Sequence, residues 1–141
     1  MSEVKVSETV AAPAARVWEL VRDFGGIAKW GGPALQSCAV EGEGIGAIRR
    51  IGLSGGLTIS ERLEALDDGT RSLSYAIVEK CPLPVRDYLS TIQISEVGPQ
   101  ECRVDWSSRF EPEGAPAEQA EGLIRGVYTG GIAGIRKALG G

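Results

Sequence analysis

Apolar and polar residues alternate over most of the first 111 positions and take helical spacing at two places. Val4, Val6 and Val10 mark a first strand, because side chains at every second position share one face of a strand. Ala11-Ala12-Pro13 breaks it, and Pro13 suits the first turn of a helix over 14–24, where Val17, Leu20, Val21 and Phe24 form one stripe. Gly25-Gly26 stops that helix, and a second helical turn at 27–30 is closed by Gly31-Gly32-Pro33. Strands follow over 34–42, 45–53, 57–67, 70–79, 86–97 and 101–111. Gly42/Gly44, Ser54-Gly55-Gly56, Asp67-Asp68-Gly69, Pro82-Leu83-Pro84 and Gly98-Pro99 supply the turns. After a linker at 112–116, a long helix runs to about residue 139, with apolar positions at Ala120, Leu123/Ile124, Val127, Ile135 and Ala138/Leu139.

This order predicts an α+β fold in one domain over 1–141: an antiparallel sheet of seven strands, two short helices after the first, and a long C-terminal helix on the concave face. Such a layout traps a cavity between helix and sheet.

The hairpin RRIGLSGGLTISER breaks the alternation. Arg49 shares a face with Ala47, Ile51 and Leu53, and Glu61 shares one with Ile59, Leu63 and Ala65. A three-residue Ser54-Gly55-Gly56 loop pairs Leu53 with Leu57, Ile51 with Ile59 and Arg49 with Glu61. Either the pair lies on the surface, or it is the polar end of an apolar pocket. A buried ion pair is a poor route to stability, whereas a few converging polar groups in an apolar pocket suit a small-molecule site.

Composition narrows the chemistry. Histidine is absent, so acid–base work falls to carboxylates, Tyr, Lys, Arg or Cys. Three cysteines, widely spaced and without a CxxC, predict reduced thiols in a cytoplasmic protein and no metal site. A net charge of −4 without a basic cluster argues against nucleic acid. No apolar run reaches membrane-spanning length, and MSEVKVSETV lacks a signal-peptide layout. No cofactor is expected, and a homodimer is left open.

The ordered set APAARVWELVRDFGGIAKW, GxGAIRRI, ERLEALDDGTRSLSY, PLPVRDY and VDWSSRFEP resembles the START/Bet v 1-like (SRPBCC) superfamily, in its polyketide cyclase/dehydrase-type branch. The resemblance implies a helix-grip fold, a curved seven-stranded sheet around a long C-terminal helix with an internal pocket for apolar molecules. A second, partial resemblance is to the plant abscisic-acid receptors, through LQSCAVEGE, SGGL, ERLEALDD and VRDYLST. It implies a gate at 54–60, a latch at 81–85, and Arg49, Glu61, Tyr88, Ser90 and Asp105 as polar pocket groups. The lysine that grips the hormone's carboxylate in those receptors falls at Gln36, the gate is shorter, and the latch lacks its His-Arg-Leu. Hormone binding and phosphatase inhibition are therefore not expected.

The candidate site follows. Tyr88 and Ser90 share the inward face of their strand with Ile92 and Ile94. The Tyr88 hydroxyl is either a buried hydrogen-bonding group or a ligand contact and proton donor. Ile51, Leu53, Leu57, Ile59, Tyr75 and Ile77 are pocket wall, and Leu123, Val127 and Gly131 face them from the helix. Gly126, Gly130, Gly131 and Gly134 either loosen this helix or leave volume beneath it. Asp105 points outward by alternation with Val104, Trp106, Ser108 and Phe110, and inward by the receptor resemblance; a β-bulge would reconcile them. Three functions are open: a binder of a small apolar or amphipathic molecule; a cyclase or dehydratase in which Glu61 and Tyr88 move protons while Arg49 polarises a carbonyl; or a partner domain with a vestigial cavity. The missing histidine favours the binder.

Overall fold

A computed structural model describes residues 1–32, 35–79 and 81–140. Strand β1 (Ser2–Val10) leads through Pro13, the N-cap residue, into helix α1 (Ala14–Arg22) and a 3₁₀ turn at Phe24–Lys29. Then come β2 (Leu35–Glu41), β3 (Ile48–Leu53), β4 (Thr58–Asp67), β5 (Ser72–Val78), β6 (Val85–Gly98), β7 (Glu101–Pro112) and helix α2 (Ala117–Ala138). The seven strands form one antiparallel sheet in the order β1-β7-β6-β5-β4-β3-β2. It curves around α2 in the helix-grip arrangement. No described helix is long and apolar enough to cross a membrane.

Alternation governs which side chains line the inner face. Val104, Trp106, Ser108 and Phe110 on β7, and Tyr88, Ser90, Ile92 and Ile94 on β6, are buried. Fully burying each apolar member contributes roughly 1.5–3 kcal/mol. Helix α1 adds Ala14, Val17, Trp18 and Val21 to this core. The indole of Trp18 is tied at its polar edge, donating to Asp68 Oδ1 at 2.8 Å. Arg136 anchors the far end of α2 to β1, reaching Glu8 Oε1 at 2.8 Å and the Thr9 carbonyl at 2.6 Å.

Some local expectations shift. The 3₁₀ turn begins at Phe24 and includes Gly25 and Gly26, because the Gly26 amide donates to the Asp23 carbonyl at 2.9 Å. Strand β3 starts only at Ile48, since Gly44 and Gly46 hold positive φ in the preceding turn. A register shift between Leu63 and Ala65 turns Ala65 outward and brings Leu66 opposite Leu73. On α2 the buried line is Ala120, Ile124, Tyr128, Gly131, Ile132 and Ile135. Leu123 and Val127, expected on that face, are 45% and 48% exposed.

The helix glycines divide into two kinds. A Cβ on Gly134 would lie 1.7 Å from the Trp30 carbonyl oxygen, and one on Gly131 would lie 2.5 Å from the Trp106 ring. These two permit the helix to seat on its neighbours. A Cβ on Gly122, Gly126 or Gly130 would meet nothing within 4 Å.

Candidate functional site

The hairpin pairs Arg49 with Glu61 and Ile51 with Ile59, and the Leu53 amide donates to the Leu57 carbonyl at 2.8 Å across the Ser54-Gly55-Gly56 turn. Arg49 and Glu61 are 1% and 8% exposed, so this ion pair lies inside the fold. Arg49 Nε donates to Glu61 Oε1 at 2.8 Å, and Nη1 donates to the Phe24 carbonyl at 3.1 Å. Nη2 sits 2.7 Å from the same Oε1 but off the direction of a hydrogen bond, so it supplies charge without an aligned contact. The guanidinium carbon lies 4.0 Å from the Phe24 ring centroid and 5.1 Å from that of Tyr75. Both rings present their electron-rich faces to the cation. Two aromatic rings, one carbonyl and one carboxylate thus replace water around Arg49.

Beside Glu61 is a cavity of about 320 Å³ between the sheet and α2, at the low end of the range for small-molecule pockets. Ile51, Leu53, Ile59, Glu61, Tyr75, Ile77, Tyr88 and Trp106 line it from the sheet. Ile124, Gly126, Val127, Gly130 and Gly131 line it from the helix, with Ile27, Gly31, Gly32, Leu35 and Leu83 at its ends. Ile77, Leu83 and Tyr88 also line an open surface depression with Glu79, Arg86 and Asp87. The loop carrying Leu83 therefore separates cavity from solvent.

A chain of hydrogen bonds runs behind the wall and reaches the cavity at Tyr75, Tyr88 and Trp106. Trp106 Nε1 donates to the Tyr75 hydroxyl at 3.2 Å and to Ser90 Oγ at 3.0 Å. Ser90 Oγ donates to the Ser107 carbonyl at 3.0 Å and lies 3.1 Å from the Tyr128 hydroxyl. The Tyr88 and Tyr128 hydroxyls hydrogen-bond to each other, and the Trp106 and Tyr128 rings stack with centroids 4.5 Å apart. Burial pushes all three phenols above their ordinary range, helped at Tyr75 by the negative charge of Glu61. They are held neutral, as hydrogen-bonding groups.

The sequence-derived residues are distributed as follows. Arg49, Glu61, Tyr75, Tyr88 and Ser90 gather in one buried region, and Ile51, Leu53, Ile59, Ile77, Val127 and Gly131 stand on the cavity wall. Five expected ligand contacts are not on that wall: Ser90 stands behind it, hydrogen-bonded to Trp106 and to the Ser107 carbonyl, and the other four lie away from it. Gln36 is exposed on β2, on the opposite face from half-buried Leu35 and Cys38. Leu57, 51% exposed, projects from the β3–β4 turn, and Leu123 lies on the outer side of α2. Asp105 sits on the outer face of β7, bound to Ser7 Oγ and to Arg103 Nε at 2.9 Å. Plain alternation holds there: β7 pairs with β6 without a bulge at Asp105, so the side chain stays outside. Burial pushes the Asp105 carboxyl up, but the hydrogen bonds from Ser7 and Arg103 outweigh it and leave it below the ordinary range.

Tyr128 is not named from the sequence, and Ile124 enters there only as part of the helical stripe and Leu83 only as part of a turn, not as site residues. Tyr128 falls four residues after Ile124 and eight after Ala120, so the helical repeat does point at it once tyrosine is counted as apolar. The cysteines are free; burial raises the thiols of Cys38, Cys81 and Cys102, away from nucleophilic character. No cluster of metal-ligating side chains occurs among the described residues.

Comparison with known proteins agrees with this geometry. A solved structure of XoxI from Bacillus cereus is 32% identical, with a TM-score of 0.89 over 98% of this chain and 95% of that one. The aromatase/cyclase ZhuI from Streptomyces sp. R1128 shares the fold at 22% identity, with a TM-score of 0.75 over 97% and 90% of the two chains. A 77-residue stretch is 32% identical to the abscisic acid receptor PYL2 of Arabidopsis thaliana; it spans 52% of this chain and 40% of the receptor. Residues 1–140 match the family described as polyketide cyclase/dehydrase and lipid transport. With the helix-grip fold and the cavity in place, that full-length match settles the kinship: the chain belongs to the polyketide cyclase/dehydrase and lipid transport family.

Proposed function

We propose that the protein binds a small apolar or amphipathic molecule, of polyketide-, lipid- or terpenoid-like character, in the cavity between the sheet and α2. The observation that carries this reading is the cavity wall: mostly aliphatic and aromatic, with Glu61, Tyr75 and Tyr88 as its polar points. Gly126 and Gly130, where a side chain would meet nothing, leave its helical side open. Membership of a family described by cyclisation, dehydration and lipid transport supports the same reading. The three free thiols support a reducing, cytoplasmic setting.

A cyclase or dehydratase is the second reading, favoured by the placement of a carboxylate and two phenols on one cavity. Binding remains the better account. Glu61 is engaged by Arg49, and burial makes the phenols poor acids, so neither partner of a neutral-pH proton transfer is well poised. Arg49 does not line the cavity, which weakens its proposed role in polarising a carbonyl. Native mass spectrometry of the purified protein tests the first reading: a retained small molecule supports it, and a protein that takes up no apolar probe sinks it. Glu61→Gln separates the two, since loss of turnover with binding kept would favour the enzyme.

A further inference from the structure

We infer that the cavity selects a neutral apolar molecule carrying a hydroxyl, and rejects carboxylates and ammonium ions of the same shape. This rests on the binding reading above and adds the chemical class of the ligand. Glu61 is the one charged side chain on the wall among the described residues. Its cation stands behind it: Arg49 is 1% exposed, enclosed by the Phe24 and Tyr75 rings, and absent from the lining. Even Arg49 Nη2, which lacks an aligned hydrogen bond, is buried and closed to the cavity. A carboxylate entering the cavity therefore meets an anion first and finds no open cation among the described residues. Gln36 cannot supply one, being neutral and exposed on β2.

The donors of the wall are also largely committed. Trp106 N–H is shared between Tyr75 and Ser90, and the Tyr88 and Tyr128 hydroxyls bond to each other. What remains is the O–H of Tyr75, whose oxygen accepts from Trp106, and acceptor capacity at Glu61: both Arg49 contacts fall on Oε1, and Oε2 receives no hydrogen bond among the described residues. A ligand hydroxyl donating to this carboxylate forms a charge-assisted hydrogen bond, stronger than a neutral one. An ammonium group gains less. The Arg49–Glu61 pair is neutral as a unit, so a further cation would lose its water without a counter-charge of its own.

Four naphthalene probes of matched shape test this by amide-shift titration of the ¹⁵N-labelled protein: 2-naphthol, 2-methoxynaphthalene, 2-naphthoate and 2-naphthylmethylammonium. The expected result is 2-naphthol binding at least tenfold more tightly than each of the others. A smaller margin over any of them overturns the inference while leaving the binding reading intact. If none of the four binds, the binding reading itself fails, and this inference with it. In Glu61→Gln, which removes the anion of the wall, offers an amide donor and leaves the charge of Arg49 behind it uncompensated, 2-naphthoate should gain at least tenfold. A variant with a dispersed, folded amide spectrum and no such gain shows that Glu61 is not the discriminating group, which also overturns the assignment. Should the variant not fold, the wild-type ranking decides alone.

Discussion

Tyr88 on β6 and Tyr128 on α2 join the sheet to the C-terminal helix by a direct hydroxyl–hydroxyl hydrogen bond, buried at both ends. Ser90 adds a second link to the Tyr128 hydroxyl, and Trp106 stacks on the same ring. The helix is thus held over the cavity by a polar clasp set in an apolar core. Tyr128→Phe keeps the ring and removes the clasp. Leaving buried partners unsatisfied costs about 1–3 kcal/mol, so urea unfolding should show a loss of that size with an unchanged m-value.

The chain has three tyrosines, and all three lie in this region. Their folded-state pKa values are raised from the ordinary value of 10.0, chiefly by burial. Above pH 10 the unfolded chain releases these protons while the native one keeps them. Stability contributed by the neutral phenols is therefore complete below pH 10 and falls as pH rises beyond it. Phenolate absorbance near 295 nm should stay absent from the native protein above pH 10 and appear together with loss of tertiary structure. Tyrosines that titrate near pH 10 in folded protein would contradict their burial.

Arg49 and Glu61 should behave as a unit. Removing one partner of a buried pair typically costs 3–5 kcal/mol, because the other is left charged without compensation. Arg49→Met is expected to lose about that much in denaturant unfolding. Arg49→Met with Glu61→Leu should recover most of it, since apolar replacement of a buried pair is often neutral. A double variant as unstable as the sum of the singles would mean that the pair does not act through mutual compensation.

The helix glycines give opposed expectations. Gly134→Ala drives a methyl into the Trp30 carbonyl, a backbone atom that cannot turn aside, and should be strongly destabilising. Gly122→Ala and Gly126→Ala meet open space and should each gain about 1 kcal/mol of helix propensity. Gly126 lines the cavity and Gly122 does not, so only the former should weaken uptake of an apolar probe. Urea midpoints and one binding titration per variant check all three.

Much of the fold was legible because strand parity and turn chemistry agree along the chain. The register of the hairpin follows from Ser54-Gly55-Gly56 and two alternating arms, and it pairs Arg49 with Glu61 without reference to anything distant. Asp105 shows the same local rule at work, against the resemblance that placed it inward. The irregularities were not legible. A register shift near Ala65 leaves no composition mark, and the rotation of α2 is decided by which residues fit against Trp30 and Trp106. Those are long-range contacts, absent from helical periodicity alone. Leu123 is exposed for that reason, although it shares the apolar stripe, whereas Tyr128 lies on the helical repeat and is hidden only while tyrosine is counted as polar.

The central claim is that the space between sheet and helix receives a ligand, and intermolecular NOEs locate a ligand directly. With 2-naphthol added to methyl-labelled protein, the account predicts NOEs from the probe to Ile59, Ile77 and Ile124, which line the cavity from three elements. NOEs confined to exposed apolar side chains such as Ile45 and Val97, with none to those three, would contradict it.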